Sequence, residues 1–331
     1  MLSTFSPILI VLIVLAIVFD FLNGIHDSSN IVATMIASRA FHPRVALGVT
    51  AIAHFVAPFI FGVAVATTIG HEIVAADAIS LTVLLAALSS AILWNLLTWA
   101  LGIPSSSSHA LIGGLMGAVA TGAGTGSIEL GGMKKILIAL FTSPIFGLFL
   151  GYLFTKTIFF LARGATPKIN VFFRRSQIVS AIALSLSHGT NDAQKTMGII
   201  TLALVTEGVI PTFEVPLWVI TISAASIALG TALGGWSLIK TLGGKFYKIR
   251  PVHAFSSQFT SAAVILGASF LGGPVSTTQV VSASIMGVGS ADRMKMVRWG
   301  VAKDIATAWL ITIPITAIVA AGIYWIFEQV L

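Results

Sequence analysis

Asn23-Gly24-Ile25-His26-Asp27-Ser28-Ser29-Asn30 sets an aspartate, two asparagines and a histidine inside an otherwise apolar stretch of chain. A second stretch, His188-Gly189-Thr190-Asn191-Asp192-Ala193-Gln194-Lys195, repeats the pattern: Gly24 matches Gly189, His26 matches Asn191 and Asp27 matches Asp192. A carboxylate held in lipid costs about 2.5 to 3.5 kcal/mol on insertion scales, and such residues mark ion or proton pathways. Two matched copies point to one shared site. Carboxylate, amide and carbonyl oxygens suit a hard cation, which favours sodium over a transition metal. Asn23, Asn30, Asn191 and Gln194 supply the neutral part of that shell, and each polar stretch predicts a broken helix whose unwound carbonyls add to it. Lys195 can neutralise Asp192 or Asp20, but not three carboxylates plus an anion. Cations or protons must therefore enter with any anionic substrate.

The elements that position these residues follow from composition. The 331 residues are 56% hydrophobic and 9% charged, against roughly 25% charged in a soluble domain. This is a polytopic membrane protein. Charge-free runs at 1–19, 45–70, 80–127, 215–239 and 305–327 each allow about 20 helical residues per crossing. Backbone groups in lipid must be satisfied within the segment, so the fold class is all-α rather than β. The first run lacks a basic leader and is retained as a membrane helix. There is no cysteine, hence no disulfide, thiolate metal site or cysteine nucleophile. The net charge of +7 sits in short loops, where it reads as cytoplasmic loop charge and not as nucleic-acid binding.

Basic residues cluster at Arg39 and Arg44, at Arg163 to Arg175, at Lys240 to Arg250 and at Arg293 to Lys303, and these loops are expected to be cytoplasmic. The connections holding Glu72 and Asp77, Glu129, and Glu207 and Glu214 are expected outside, with both termini, in a multi-pass cell (inner or plasma) membrane protein. Leu101-Gly102-Ile103-Pro104-Ser105-Ser106-Ser107-Ser108 matches Leu271-Gly272-Gly273-Pro274-Val275-Ser276-Thr277-Thr278, and Thr142 and Pro144 match Thr312 and Pro314, all at spacings of 165 to 170 residues. Two copies of one unit explain this. Equivalent loops carry opposite charge, so the repeats are inverted, a secondary-transporter signature. The first repeat is 1–165, with a broken helix at 5–38, a span at 45–69, a hairpin at 79–121 and a span at 133–162. The second is 166–331, with a broken helix at 177–205, a span at 216–239, a hairpin at 255–288 and a span at 299–327.

Each hairpin tip, free of acidic and basic residues beyond His109, is expected to be buried in protein or to line a cavity. Pro104 and Pro274 precede hydroxyl residues and then a helical run, which resembles a capped helix start. Unpaired amides and the positive end of the helix dipole make such a tip an anion site, to which Ser105, Ser106, Ser107, Ser276, Thr277 and Thr278 add donors. Ser108 and His109 are adjacent and point in different directions, so they do not form a nucleophile and base. His71-Glu72 lacks the second metalloprotease histidine, with Ala75 in its place, and no Gly-x-Ser-x-Gly elbow occurs. No enzyme chemistry is expected.

Phe19-Asp20-Phe21-Leu22-Asn23-Gly24-Ile25-His26-Asp27-Ser28-Ser29-Asn30 and Ser187-His188-Gly189-Thr190-Asn191-Asp192-Ala193-Gln194-Lys195, with the two proline-hydroxyl hairpins, resemble the inorganic phosphate transporter (PiT) family over essentially the whole chain. The resemblance implies sodium- or proton-coupled uptake of inorganic phosphate, with Asp27 and Asp192 as essential carboxylates and Asp20 as the acidic residue of many prokaryotic members. On their chemistry, Ser105, Ser106, Ser107, Thr190, Gln194, Ser276, Thr277 and Thr278 are expected to bond phosphate oxygens, and Asn23, Asp27, Asn30, Asn191 and Asp192 to hold sodium. Asp20, His26, Ser108, His109, His188, Lys195 and Gln279 are further candidates. No cofactor is implied beyond co-transported sodium. The partners are phosphate, Na+ or H+ and the lipid bilayer, and small-residue helix faces allow a homodimer. Proton-coupled phosphate transport, sulfate transport on the same architecture and an anion channel are the alternatives.

Overall fold

A computed structural model describes residues 5–73, 78–103, 105–234, 249–297 and 299–330. Asp77, Pro104, Lys240, Lys245, Lys248, Arg298 and positions 235–239 of the expected span lie outside the described residues. Among those described there is no strand. Among the described residues eleven α-helices follow one another: α1 Pro7–Ala37, α2 Pro43–Phe61, α3 Ala64–His71, α4 Leu81–Leu101, α5 Ser107–Gly122, α6 Leu130–Leu161, α7 Ile169–Thr206, α8 Leu217–Leu233, α9 Pro251–Phe270, α10 Thr277–Arg293 and α11 Trp299–Val330. Among the described residues five segments are long and apolar enough to cross a membrane: α1, α2, α4, α6 and residues Ala306–Val330 of α11. With the family assignment given below, this makes the chain a membrane protein.

Packing is reciprocal between the two halves. α1 lies on α8 and α7 on α2; α1 also meets α4 and α7 meets α9; α5 lies on α11 and α10 on α6. The close crossings are made by glycine. A Cβ on Gly117 would strike the Ala317 carbonyl, and one on Gly287 the Leu148 carbonyl, as small-residue faces of membrane helices allow.

The expected breaks are not where they were placed. α1 and α7 run unbroken through both polar stretches. Neither stretch contains proline, and Ser28 and Ser29 turn their hydroxyls onto the Ile25 and His26 carbonyls of their own helix at 2.8 and 2.9 Å. The glycines serve contact rather than unwinding. A Cβ on Gly24 would meet the Ile227 carbonyl of α8, and one on Gly189 would lie 2.7 Å from the His54 Cα of α2.

The interruption falls instead in the segment expected as one span at 45–69. Gly62 adopts φ +77° between α2 and α3, a conformation that glycine takes without steric cost. Gln194 of α7 holds this break: its Oε1 accepts from the Val65 and Ala66 amides at 2.7 and 3.3 Å, and its Nε2 donates to the Gly62 carbonyl at 2.6 Å. In the second half α8 likewise stops before a positive-φ glycine, Gly234 at φ +40°.

The apolar interior is split into two clusters. One contains Leu9, Leu12, Ala16 and Phe19 of α1 with Ala193 to Leu204 of α7; the other contains Ile31, Val32 and Met35 of α1 with Ala181 and Leu184 of α7. α1 and α7 therefore traverse both clusters in opposite order. Their polar stretches meet at the junction.

Candidate functional site

On α1, Asp20, Asn23, Asp27 and Asn30 recur every three or four residues and share one stripe of the helix, as do His188, Asp192, Lys195 and Thr196 on α7. All except Asn30 are at most 3% exposed, which shuts bulk water out of their interactions. Asp192 takes Lys195 Nζ on Oδ1 and His188 Nε2 on Oδ2 at 2.8 Å. That same His188 nitrogen lies 3.7 Å from Asp27 Oδ2, so one imidazole bridges the two carboxylates. His26, with a 14% exposed side chain, places Nδ1 3.6 Å from Asp27 Oδ1. The ligand-capable atoms of Asp27, His188 and Asp192 all fall within 4.8 Å of one another.

The second hairpin tip closes this cluster. Thr277 donates to Asp192 Oδ2 at 2.9 Å, and Thr278 donates to Asp27 Oδ1 at 2.7 Å. Asn30 Nδ2 lies 3.0 Å from the Thr278 hydroxyl and 3.3 Å from Asp27 Oδ1. The two tips also join each other: Ser108 donates to the Val275 carbonyl at 2.8 Å, and Gln279 Nε2 stands 3.3 Å from His109 Nδ1. Ser105, Ser106, Ser108, Ser276, Thr277 and Thr278 after the turns are buried, but Leu101 and Leu271 at the turns are 62% and 77% exposed. The turn presents carbon outward and hydroxyls inward.

Several expected ligands are committed elsewhere. Gln194 is bound to the α2–α3 break. Asn191 donates to Ser269 at 2.8 Å and to the Gly273 carbonyl at 3.3 Å, and its Oδ1 accepts from the Val275 amide at 3.2 Å. These bonds fix the tip backbone. Thr190 donates to the Leu186 carbonyl of its own helix at 2.9 Å. Ser105 pairs with Thr98 at 2.7 Å, and Ser106 caps α5 by accepting from the His109 amide at 3.2 Å while bonding His109 Nδ1 at 2.8 Å. Ser107 is half-buried. The Gln194 and Asn191 roles depend on residues far along the chain, which motif spacing does not reveal, whereas the bonds of Thr190, Ser105 and Ser106 are local.

Other atoms have no hydrogen-bond partner among the described residues although they are buried: both amide atoms of Asn23, Asp20 Oδ2, Ser276 Oγ and Gln279 Oε1. An unpaired buried polar group costs about 1 to 3 kcal/mol, so such atoms call for a ligand or water. Asp20 Oδ1 is bonded by Thr196 of α7. Thr196 was absent from the expected set, although its place one turn after Asp192 was a signal. The helix starts differ as well. The α5 start is capped by Ser106, whereas the α10 start has no side-chain cap, which leaves its amides available to an anion.

One consequence is measurable. Gln194→Ala strands three backbone groups in the α2–α3 break, at about 1 to 3 kcal/mol for each unsatisfied group. The expected result is a lowered unfolding temperature with an unchanged substrate KM in the folded fraction; a raised KM at normal stability would return Gln194 to the substrate site.

A model of the phosphate transporter family matches residues 23–320. The chain belongs to that family. It is 45% identical over 327 residues to a Bacillus subtilis protein named "Probable low-affinity inorganic phosphate transporter", covering 97% of each chain. A Rhizobium meliloti protein of the same name is 43% identical over 326 residues, with 98% of each covered. A solved structure described as "The sodium-dependent phosphate transporter" superposes with a TM-score of 0.90 at 25% identity, covering 98% of this chain and 100% of that one. Family members are transporters and not enzymes. The buried Asp27, His188 and Asp192 cluster is the candidate site for that transport.

Proposed function

We propose that this chain carries inorganic phosphate into the cell by symport with sodium ions, at a site between α1, α7 and the second hairpin tip. The observation that carries the reading is the pairing of Asp27 and Asp192 from separate helices, each taking a hydroxyl from the same tip. Three buried carboxylates face Lys195 and His188, so a bound phosphate needs added positive charge. The family relation supports phosphate, and the superposed structure's sodium dependence supports the choice of cation. Asp27, Asp192, Asn23 and Asn30 are assigned to cations, with Thr277 and Thr278 shared between cation and anion. Phosphate is assigned to the uncapped α10 start with Ser276, beside the Ser105 to Ser107 turn.

A proton-coupled reading rests on a separate observation, the sequence His26, Asp27, His188 and Asp192 in continuous contact. The reciprocal packing supports two inverted repeats, 1–165 and 166–331, with basic loops in the cytoplasm and both termini outside.

The test is uptake of labelled phosphate into proteoliposomes under a sodium or a proton gradient, with excess unlabelled sulfate. Sodium-driven uptake resistant to sulfate is expected. Uptake driven by protons alone would make the aspartates proton carriers, and strong sulfate competition would overturn the substrate. Because the chain has no cysteine, Thr125→Cys and Ala165→Cys labelled from either side report orientation: the first from outside and the second from inside, or the topology is reversed.

A further inference from the structure

Away from the transport site, α6 and α9 enclose a groove on the molecule's flank. Two cavities of about 410 and 240 Å³ share Leu150 and Ala263 and so form one channel, from Lys135 at one end to Thr157 and Phe259 at the other. Its wall presents carbon. The hydroxyls of Thr142 and Ser143 on that wall are bonded back to the Ile138 and Leu140 carbonyls of their own helix. Gly267 deepens the groove, since a Cβ there would have nothing within 4 Å.

The end at Lys135 is different. Its ammonium lies 2.9 Å from the Glu72 carboxylate and 3.3 Å from the Thr68 hydroxyl, and the two charged side chains remain 40% and 39% exposed. A cation and an anion thus stand side by side at the mouth of an apolar channel. The fifteen residue steps from Lys135 to Leu150, the stretch of α6 that lines the first cavity, rise about 22 Å, more than the roughly 15 Å half-thickness of a hydrocarbon core. The first cavity alone therefore has room for one acyl chain.

We propose that this groove is a phospholipid site: one acyl chain lies between α6 and α9, and a phosphoethanolamine headgroup sets its phosphate on Lys135 and its ammonium on Glu72. Charge decides the headgroup. An anionic lipid would satisfy Lys135 but place its net charge against Glu72, whereas a zwitterionic headgroup with N–H donors matches both. Leu271 and Gly273 of the second hairpin tip line the same channel, and Gly273 is held by Asn191. The bound chain therefore touches the segment that carries Thr277 and Thr278.

The experiment is native mass spectrometry of the full chain, delipidated in detergent and supplied with phosphatidylethanolamine or phosphatidylglycerol of matched acyl chains. One phosphatidylethanolamine should be retained about tenfold more tightly than phosphatidylglycerol. Gly267→Leu, which fills the groove, and Lys135→Met should each weaken it by about tenfold, and Glu72→Gln should remove the preference between the two lipids. Gly48→Leu, at another open helix surface, should change nothing. Phosphate uptake by Gly267→Leu shows that this variant is folded. Equal retention of both lipids, or retention unaffected by Gly267→Leu, overturns the site. So does a dimer that Gly267→Leu converts to monomer without loss of lipid, since a second copy would then occupy the groove.

Discussion

Asp27→Asn is expected to abolish cation-dependent phosphate uptake while leaving the fold intact. The amide oxygen of asparagine still accepts the hydroxyl of Thr278, now at 2.7 Å from Asp27 Oδ1, so the tip keeps its anchor. What disappears is a unit of negative charge. At about 4 Å and an effective dielectric of about 20, that charge is worth about 4 kcal/mol to a neighbouring cation, or roughly a thousandfold in affinity. The neighbouring aspartate behaves differently. Asp192 is paired with the buried Lys195, and removing one partner of such a pair costs about 3 to 5 kcal/mol because the other charge is left uncompensated. Asp192→Asn should therefore lose both stability and uptake, and Asp192→Asn with Lys195→Met should regain stability without uptake. Thermal unfolding in detergent and proteoliposome uptake separate the two effects. Normal uptake by Asp27→Asn with unchanged cation dependence would remove Asp27 from the site.

The contrast between the two aspartates also shows which parts of the molecule can be read from sequence. Hydropathy and internal matching were sufficient for the all-helical membrane fold, the hairpins at Ser105 and Ser276, and the meeting of Asp27 with Asp192, because each depends on local composition or on spacing. The break in the chain path was misplaced. Asn-Gly and His-Gly pairs signal a turn when read locally, but here neighbouring helices crowd both glycines and the helices stay closed. Conversely, Gly62-Val63-Ala64-Val65 reads as an ordinary apolar run, and it opens only because Gln194, more than a hundred residues later, supplies the hydrogen bonds that the open backbone needs. The same long-range dependence hides the anchoring bonds of Asn191 from the sequence. Its amide type suits a cation or a backbone alike, and only the approach of Gly273 and Val275 shows its bonds to the tip.

That account of the glycines yields the second large effect. Gly24→Ala places a methyl group on the Ile227 carbonyl of α8, and the reciprocal Gly230 already faces the Phe21 carbonyl of α1. The obstacle is backbone on both sides, so no side chain can swing away. α1 and α8 must separate. Overpacking of this kind costs about 1 to 3 kcal/mol, and here it would also shift Asp20, Asn23 and Asp27, which share α1, against α7. If Gly24 were instead a hinge, alanine would stiffen the helix and raise stability, since glycine within a helix is about 1 kcal/mol worse than alanine. The two roles thus predict opposite signs. Gly24→Ala should lower the unfolding temperature and depress uptake, whereas Gly48→Ala on α2, where a Cβ meets nothing within 4 Å, should hold or raise it. A Gly24→Ala protein that is more stable than the parent and slow only in transport would restore the hinge and place the moving part of α1 at the polar stretch itself.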